Sequence, residues 1–241
     1  MIISPSEKYL FIHIPKTAGI SLSQGMLKYT GVGAKLVTDT QGVEHSVHTH
    51  TDALTMKRIL GEQYKRYHTF SVVRNPWDRL VSLYHFKLQS AQDRLSGVRR
   101  PKAGVSREND MEEIAYLSRL GFKSWLLNGK CDCHLYSDSL TRLSQKSWLV
   151  DENGELIVNQ VLKFETLDED LKTLRGRINI DYEARETNKS NRLEWINYYD
   201  LESFHYVNEV FKDDIEAFDY RVRWKDSHSN SCLINGERNF L

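Results

Sequence analysis

Cysteine is scarce in this sequence: only Cys131, Cys133 and Cys232 occur among 241 residues. An odd count without a wider framework excludes a disulfide-stapled secreted fold. Cys131-x-Cys133 also lacks the second ligand pair that a structural zinc site needs. Net charge is missing as well, since 33 Lys and Arg balance 33 Asp and Glu. The molecule is therefore no generic polyanion binder, nucleic acid is not an expected partner, and any basic site has to be local. No apolar run reaches bilayer length, and the opening MIISPSEKYL has neither the basic region nor the long apolar core of a signal peptide. No membrane span and a cytoplasmic location are the expectations. Without repeats, a Gly/Ser linker or a composition break, residues 1–241 read as a single domain, with 225–241 as a loose tail.

What is present is concentrated in residues 9–29, YLFIHIPKTAGISLSQGMLKY. Tyr9 to Ile14 is an apolar run of β-formers, the mark of a buried strand. Pro15 closes it, Lys16-Thr17-Ala18-Gly19-Ile20-Ser21 forms a turn, and Leu22, Met26 and Tyr29 share one face of a following helix. A strand, a tight turn and a helix start can hold a phosphate, because the first-turn N–H groups and the helix dipole both favour an anion. Lys16 adds full positive charge, Gly19 permits close backbone approach, and Thr17 and Ser21 offer hydroxyls. The order G-x-x-x-x-G-K-[ST] of a Walker loop is absent, since Lys16 precedes Gly19.

A second unit of the same kind is HTFSVVRNPWDRLVSLYHFKL. His68 to Val73 reads as a buried strand, Asn75 as a helix N-cap, Pro76 as N1 and Asp78 as N3. Leu80, Leu83, Tyr84 and Leu88 give that helix its apolar face. Two strand–turn–helix units joined by a helical crossover, over Thr51 to Gly61, imply a parallel sheet. The fold class is therefore α/β: a P-loop-like three-layer sandwich whose central, mainly parallel sheet is flanked by helices. Arg74 stands at the carboxyl end of the second strand, where such sheets bind ligands. Asp78 and Ser82 lie one turn apart on one helix face, so a guanidinium and a hydroxyl can meet a second phosphate. Pairing of Arg74 with Asp78 is the competing reading.

Elsewhere the patterns are plainer. Residues 30–47 read as a connection, 111–127 as a helix, 147–158 as a hairpin and Val161 to Phe164 as a strand. Thr166 caps a helix carrying Leu167, Leu171 and Leu174, and Phe204, Val207, Phe211 and Ile215 face inward from the last helix. Residues 94–107 hold five basic side chains and no acidic one, and read as a mobile surface loop suited to an anionic glycan or to solvent alone. His45, His48 and His50 cluster, but no third ligand has convincing spacing, and no metal is expected. His13 reads as a core histidine, and Trp77, Tyr84 and Trp125 as core aromatics.

FIHIPKTAGIS followed by FSVVRNPWDRLVSLYHF resembles the two donor-binding signatures of sulfotransferases that use 3′-phosphoadenosine 5′-phosphosulfate. The likeness is nearest to the Golgi-type carbohydrate branch, with its heparan and chondroitin enzymes, and to bacterial relatives. It continues through VLKFETLDEDL and the segment from Asn188 to Tyr220. The resemblance implies that Lys16, Thr17, Ala18, Gly19, Ile20 and Ser21 hold the 5′-phosphosulfate, and that Arg74 and Ser82 hold the 3′-phosphate. It implies His50 as general base, with His48 as its rival, and Lys189 and Arg192 in a segment closing over the donor. Glu165 also belongs to the pattern, with a structural role expected. The implied acceptor is a carbohydrate or another hydroxyl-bearing molecule.

That chemistry suits these residue types. Sulfuryl transfer is mostly alignment and charge stabilisation, a neutral imidazole can take the acceptor proton, and Lys16 can meet charge on the leaving oxygen. Two other functions compete: an ATP- and Mg²⁺-dependent kinase-like phosphotransferase, and a non-catalytic binder of nucleotide or anionic glycan.

Overall fold

The computed structural model describes residues 1–19, 22, 26, 36–100, 105–128, 144–178, 192–224 and 232–233. Its centre is a four-stranded sheet in the order β1 (Ile2–Ser4), β2 (Tyr9–Ile12), β5 (His68–Val73) and β6 (Gln160–Lys163). β2 runs parallel to β5, from Tyr9 beside His68 to Ile12 beside Ser71, and β5 runs parallel to β6. Only β1 is antiparallel, lying along β2. The expected mainly parallel sheet is present, with an edge strand that three residues of sequence are too short to announce.

Side chains alternate across each strand, so the sheet feeds two cores. Tyr9, Phe11, Phe70, Val72 and Leu162 pack with Leu22 and Met26 and with Leu171 and Leu174 of helix α4 (Leu167–Arg175). Leu10, Ile12 and Val73 pack on the other face. Their partners there include Met56 of α1 (Ala53–Leu60), Leu80 of α2 (Pro76–Leu95) and Phe204 of α5 (Leu201–Val210). Helices therefore flank the sheet on both sides. Trp77 stacks on Phe204, with ring centroids 4.9 Å apart, and Trp125 is fully buried, so both indoles serve the core.

Several boundaries differ from the sequence expectations. The 30–47 connection contains a short hairpin, β3 (Leu36–Thr38) with β4 (Glu44–Ser46). The hairpin expected over 147–158 is reduced to one bridge, Val150 to Leu156, after a 3₁₀ turn at Lys146–Trp148. Thr166 stands at the start of α4 without capping it, because its hydroxyl bonds Asp170 instead. The last helix breaks at Phe211 into α5 and α6 (Lys212–Ala217). Within the expected tail, Cys232–Leu233 (β8) pairs with Arg223–Trp224 (β7).

Among the described residues of 94–107, Arg94 and Arg99 have acidic partners, while Arg100 and Arg107 are exposed. Arg94 ends α2 and grips the buried Asp110 of α3 (Arg107–Leu127), with its Nε 2.9 Å from both carboxylate oxygens. Arg99 returns to Asp93 and Ser90, and Lys102 lies outside the described residues. Packing of α3 beside the end of α2, invisible in a linear reading, supplies the partner of Arg94. Among the described residues no helix is long and apolar enough to cross a membrane.

α3 bends at Gly121, whose φ of 70° and ψ of 175° lie in a region open essentially to glycine alone. Open space surrounds the position a Cβ would take there. Gly121→Ala is accordingly expected to cost about 1–3 kcal/mol through backbone strain rather than collision, read as a lower denaturation midpoint with an unchanged denaturant slope.

Candidate active site

The carboxyl ends of β2 and β5 lie side by side, and a turn leaves each one. From β2 the chain passes through His13 and Ile14 into Pro15-Lys16-Thr17-Ala18-Gly19, with Gly19, Leu22 and Met26 helical. The turn is tightly wound: Lys16 and Ala18 both adopt positive φ, 67° and 65°. Residues bearing a Cβ reach that region at a cost, so the surroundings must hold it. Thr17 is buried and its hydroxyl donates to Ile14 O at 2.9 Å, so it serves the turn itself. Arg79 of α2 donates through Nε to Pro15 O at 2.9 Å. The His13 ring lies so close beneath Gly19 that a Cβ there would come within 1.9 Å of it. No larger residue fits position 19 without displacing His13.

From β5 the second turn carries Arg74, and Asn75 caps α2 by accepting from Trp77 N and Asp78 N, with Pro76 at N1. Arg74 is nearly buried. Its Nε and Nη2 donate to Asp78 Oδ2 at 2.8 and 2.7 Å, and its Nη1 reaches Lys16 O at 3.3 Å. Its guanidinium also lies 4.1 Å over the Phe164 ring. Arg192 donates to the other oxygen of Asp78, so one carboxylate serves two guanidinium groups. The pairing of Arg74 with Asp78 that the competing reading called for is present, and the Glu165 charge also acts on the guanidinium. Burial works against the Arg74 charge and pulls its pKa down, with Asp78 opposing that.

Along α2, Asp78, Ser82 and Phe86 recur every four residues and share a face. At its start Asp78 binds Arg74, and at its end Phe86 lies 4.1 Å beneath Lys16 Nζ. Ser82, half-buried, stands between them. Lys16, Thr17, Gly19, Arg74, Ser82 and Arg192 are thus brought to one region, whereas Ile20, Ser21 and Lys189 lie outside the described residues. Ala18 contributes backbone alone.

His50 joins the same region from the segment before α1. Its Nδ1 is 2.9 Å from His13 O, and its ring centroid is 4.5 Å from that of His13. A carbonyl can only accept, so Nδ1 carries the proton and Nε2 is the ring's basic atom. Trp148 meets the ring edge-on at 6.2 Å. His48, by contrast, is exposed, and its backbone N–H binds Thr51 Oγ1. His45 pairs with Asp39 inside the β3–β4 hairpin. The three histidines therefore diverge, and among the described residues no group of three or more His, Cys, Asp or Glu could hold a metal ion.

Sequence reasoning missed the residues that hold these turns. Arg79, Phe86 and Gln145 all act on the site, and only Arg79, a charge within an apolar stretch, left a visible signal. Glu165 accepts from Asn75 N at 2.6 Å, which is the structural role expected of it.

The sulfotransferase family model matches residues 1–221, nearly the whole chain. The chain belongs to the sulfotransferase family. Among solved structures it is similar to mouse sulfotransferase SULT7A1 complexed with PAP, at 14% identity and a TM-score of 0.47 over 90% of this chain and 88% of that one. Comparison with curated protein sequences returns no match.

Burial holds the His50 pKa below its ordinary 6.5, and that of His13 well below it, where His50 and Lys16 add to the effect. The unfolded chain therefore binds protons that the folded sulfotransferase refuses. Their contribution to stability is complete above pH 6.5 and is lost as pH falls below it, towards each depressed pKa. Thermal midpoints are expected to decline as buffers move below pH 6.5, and His50→Gln is expected to shallow that slope.

Proposed function

We propose that this sulfotransferase moves a sulfuryl group from 3′-phosphoadenosine 5′-phosphosulfate to a hydroxyl of a carbohydrate acceptor. The observation that carries the reading is the junction of the two turns, where Arg74 at the end of β5 donates to the Lys16 carbonyl beyond β2. Two cationic turns held in contact suit one ligand with two anionic groups, and a nucleotide phosphorylated at both the 3′ and 5′ positions is such a ligand. The carbohydrate as acceptor rests on the likeness of the two motifs to the Golgi-type branch.

In this reading Lys16 and the turn from Thr17 to Ser21 bind the 5′-phosphosulfate, while Arg74 and Ser82 bind the 3′-phosphate. Arg192 and Lys189 close over the donor. The Arg74 and Arg192 guanidinium groups offer charged donors to an incoming phosphate, and the low-dielectric setting strengthens the attraction. His50 takes the acceptor's proton at Nε2 as the oxygen attacks sulfur, because its Nδ1 proton is held by His13 O. The bond from sulfur to the bridging phosphate oxygen breaks in line, and Lys16 meets the charge that develops there. A depressed His50 pKa keeps the imidazole neutral, and so competent as a base, at neutral pH. The reading calls for no metal.

Calorimetric titration with adenosine 3′,5′-bisphosphate, set against ATP with Mg²⁺, tests the donor site. Metal-independent binding of the bisphosphate, weakened at least tenfold in Arg74→Ala, is expected; preference for ATP with Mg²⁺ would replace this reading with the kinase one. With the donor bound, Lys16→Ala is expected to lower turnover by at least about 100-fold with the fold intact. His50→Gln is expected to lower it by about 100- to 10,000-fold, and retained turnover in either variant would remove that residue's role.

A further inference from the structure

The C-terminal segment from Asp214 to Tyr220 lies outside both motifs, yet it contains the far anchors of the donor corner. Asp214, in α6, is fully buried. Its carboxylate accepts from Ser144 Oγ at 2.7 Å, Gln145 N at 2.7 Å and Lys146 N at 2.9 Å. These three bonds pin the start of the 3₁₀ turn Lys146–Trp148. Gln145, also fully buried, turns its amide onto the backbone of Arg74: Oε1 accepts from Arg74 N, and Nε2 donates to Arg74 O, each at 2.8 Å. The side chain thus completes both backbone hydrogen bonds of the residue that follows β5. Three residues on, Trp148 presents its ring to His50.

Six residues after Asp214, Tyr220 completes a second network. Its hydroxyl donates to Glu165 Oε2 at 3.2 Å, and Glu165 Oε1 accepts from Asn75 N. Burial and the Glu165 charge together push the phenol's pKa upward, which keeps it a donor. Two adjacent backbone positions, Arg74 and Asn75, are therefore each held by one side chain, the buried Gln145 and the more exposed Glu165, and each of those is held from the same short segment.

We propose that Asp214, Gln145, Glu165 and Tyr220 are positioning residues, through which the C-terminal segment sets the backbone of the Arg74–Asn75 corner and the wall beside His50. The inference rests on the donor-site reading above. A buried carboxylate with three donors and a buried amide with two partners are fully committed, so their geometry transmits without slack. Core packing alone would need neither charge nor amide here, because apolar side chains fill such space at lower desolvation cost.

The test combines calorimetry with adenosine 3′,5′-bisphosphate, donor KM and kcat, and thermal midpoints. The variants are Arg74→Ala, Gln145→Leu, Tyr220→Phe and Val207→Ala, the last a core residue of α5 outside both networks. Gln145→Leu and Tyr220→Phe are expected to weaken bisphosphate binding about five- to tenfold and about two- to fivefold, and to raise donor KM more than they lower kcat. Val207→Ala is expected to lose thermal stability while binding as the parent does. Should Gln145→Leu fail to fold, Tyr220→Phe, which removes one oxygen atom, carries the test. Parent-like affinity and KM in the two positioning variants, with binding lost in Arg74→Ala, would overturn this inference alone. Parent-like affinity in Arg74→Ala would overturn the donor-site reading itself.

Discussion

Parallel pairing of β2 with β5 is the constraint on which the site depends. Neighbouring strands lie about 4.8 Å apart, so the register that sets Ile12 beside Ser71 also starts two turns side by side. The meeting of Lys16, Arg74 and Arg79 follows from that adjacency. Arg74 can reach the Lys16 carbonyl, Arg79 can reach the Pro15 carbonyl, and one face of α2 can run from Asp78 to the ring beneath Lys16. The sheet is buried on both faces by apolar side chains, which makes slippage costly: a shift of one residue would turn each strand's core side chains to the wrong layer.

Such a concentration of positive charge needs partners before any ligand arrives. Asp78 supplies them by bridging Arg74 and Arg192, and Phe86 and Phe164 offer ring faces to Lys16 and Arg74. Asp78 and Glu165 together offset the cost of burying the Arg74 charge. The strained turn at Lys16 and Ala18 follows a similar logic. Its positive φ angles persist because Thr17, Arg79 and His13 define the turn from three sides.

Histidine illustrates the difference between a residue type and a site. His45, His48 and His50 stand close in sequence, but a hairpin takes His45, solvent takes His48, and the His13 carbonyl takes His50. Only that last hydrogen bond decides which ring nitrogen is basic, and it joins residues 37 positions apart. The basic stretch 94–107 makes the same point in reverse. Arg94 finds its acidic partner once α2 and α3 pack, while Arg99 folds back on Asp93 of α2, so part of a run of charge in sequence becomes a helix junction in space.

Local patterns were enough for β2, β5, β6, the capped start of α2 and the amphipathic α4, because burial on two faces or on one helix stripe writes itself into a short window. They were also enough to set Lys16 and Gly19 in the turn after β2, Arg74 in the turn after β5 and Ser82 on α2. The edge strand β1, the β3–β4 hairpin and the break at Phe211 were not legible, being too short or too dependent on remote partners. Neither were Gln145, Asp214 and Tyr220, whose meaning lies in backbone atoms of residues far away in the chain. Sequence by itself determined the parallel α/β architecture and its two strand–turn–helix units, since apolar periodicity and capping are local properties. Tertiary structure alone decided which histidine faces the turn, how Asp78 shares its charge and what holds the Arg74 corner, because hydrogen bonds between distant segments have no period to read.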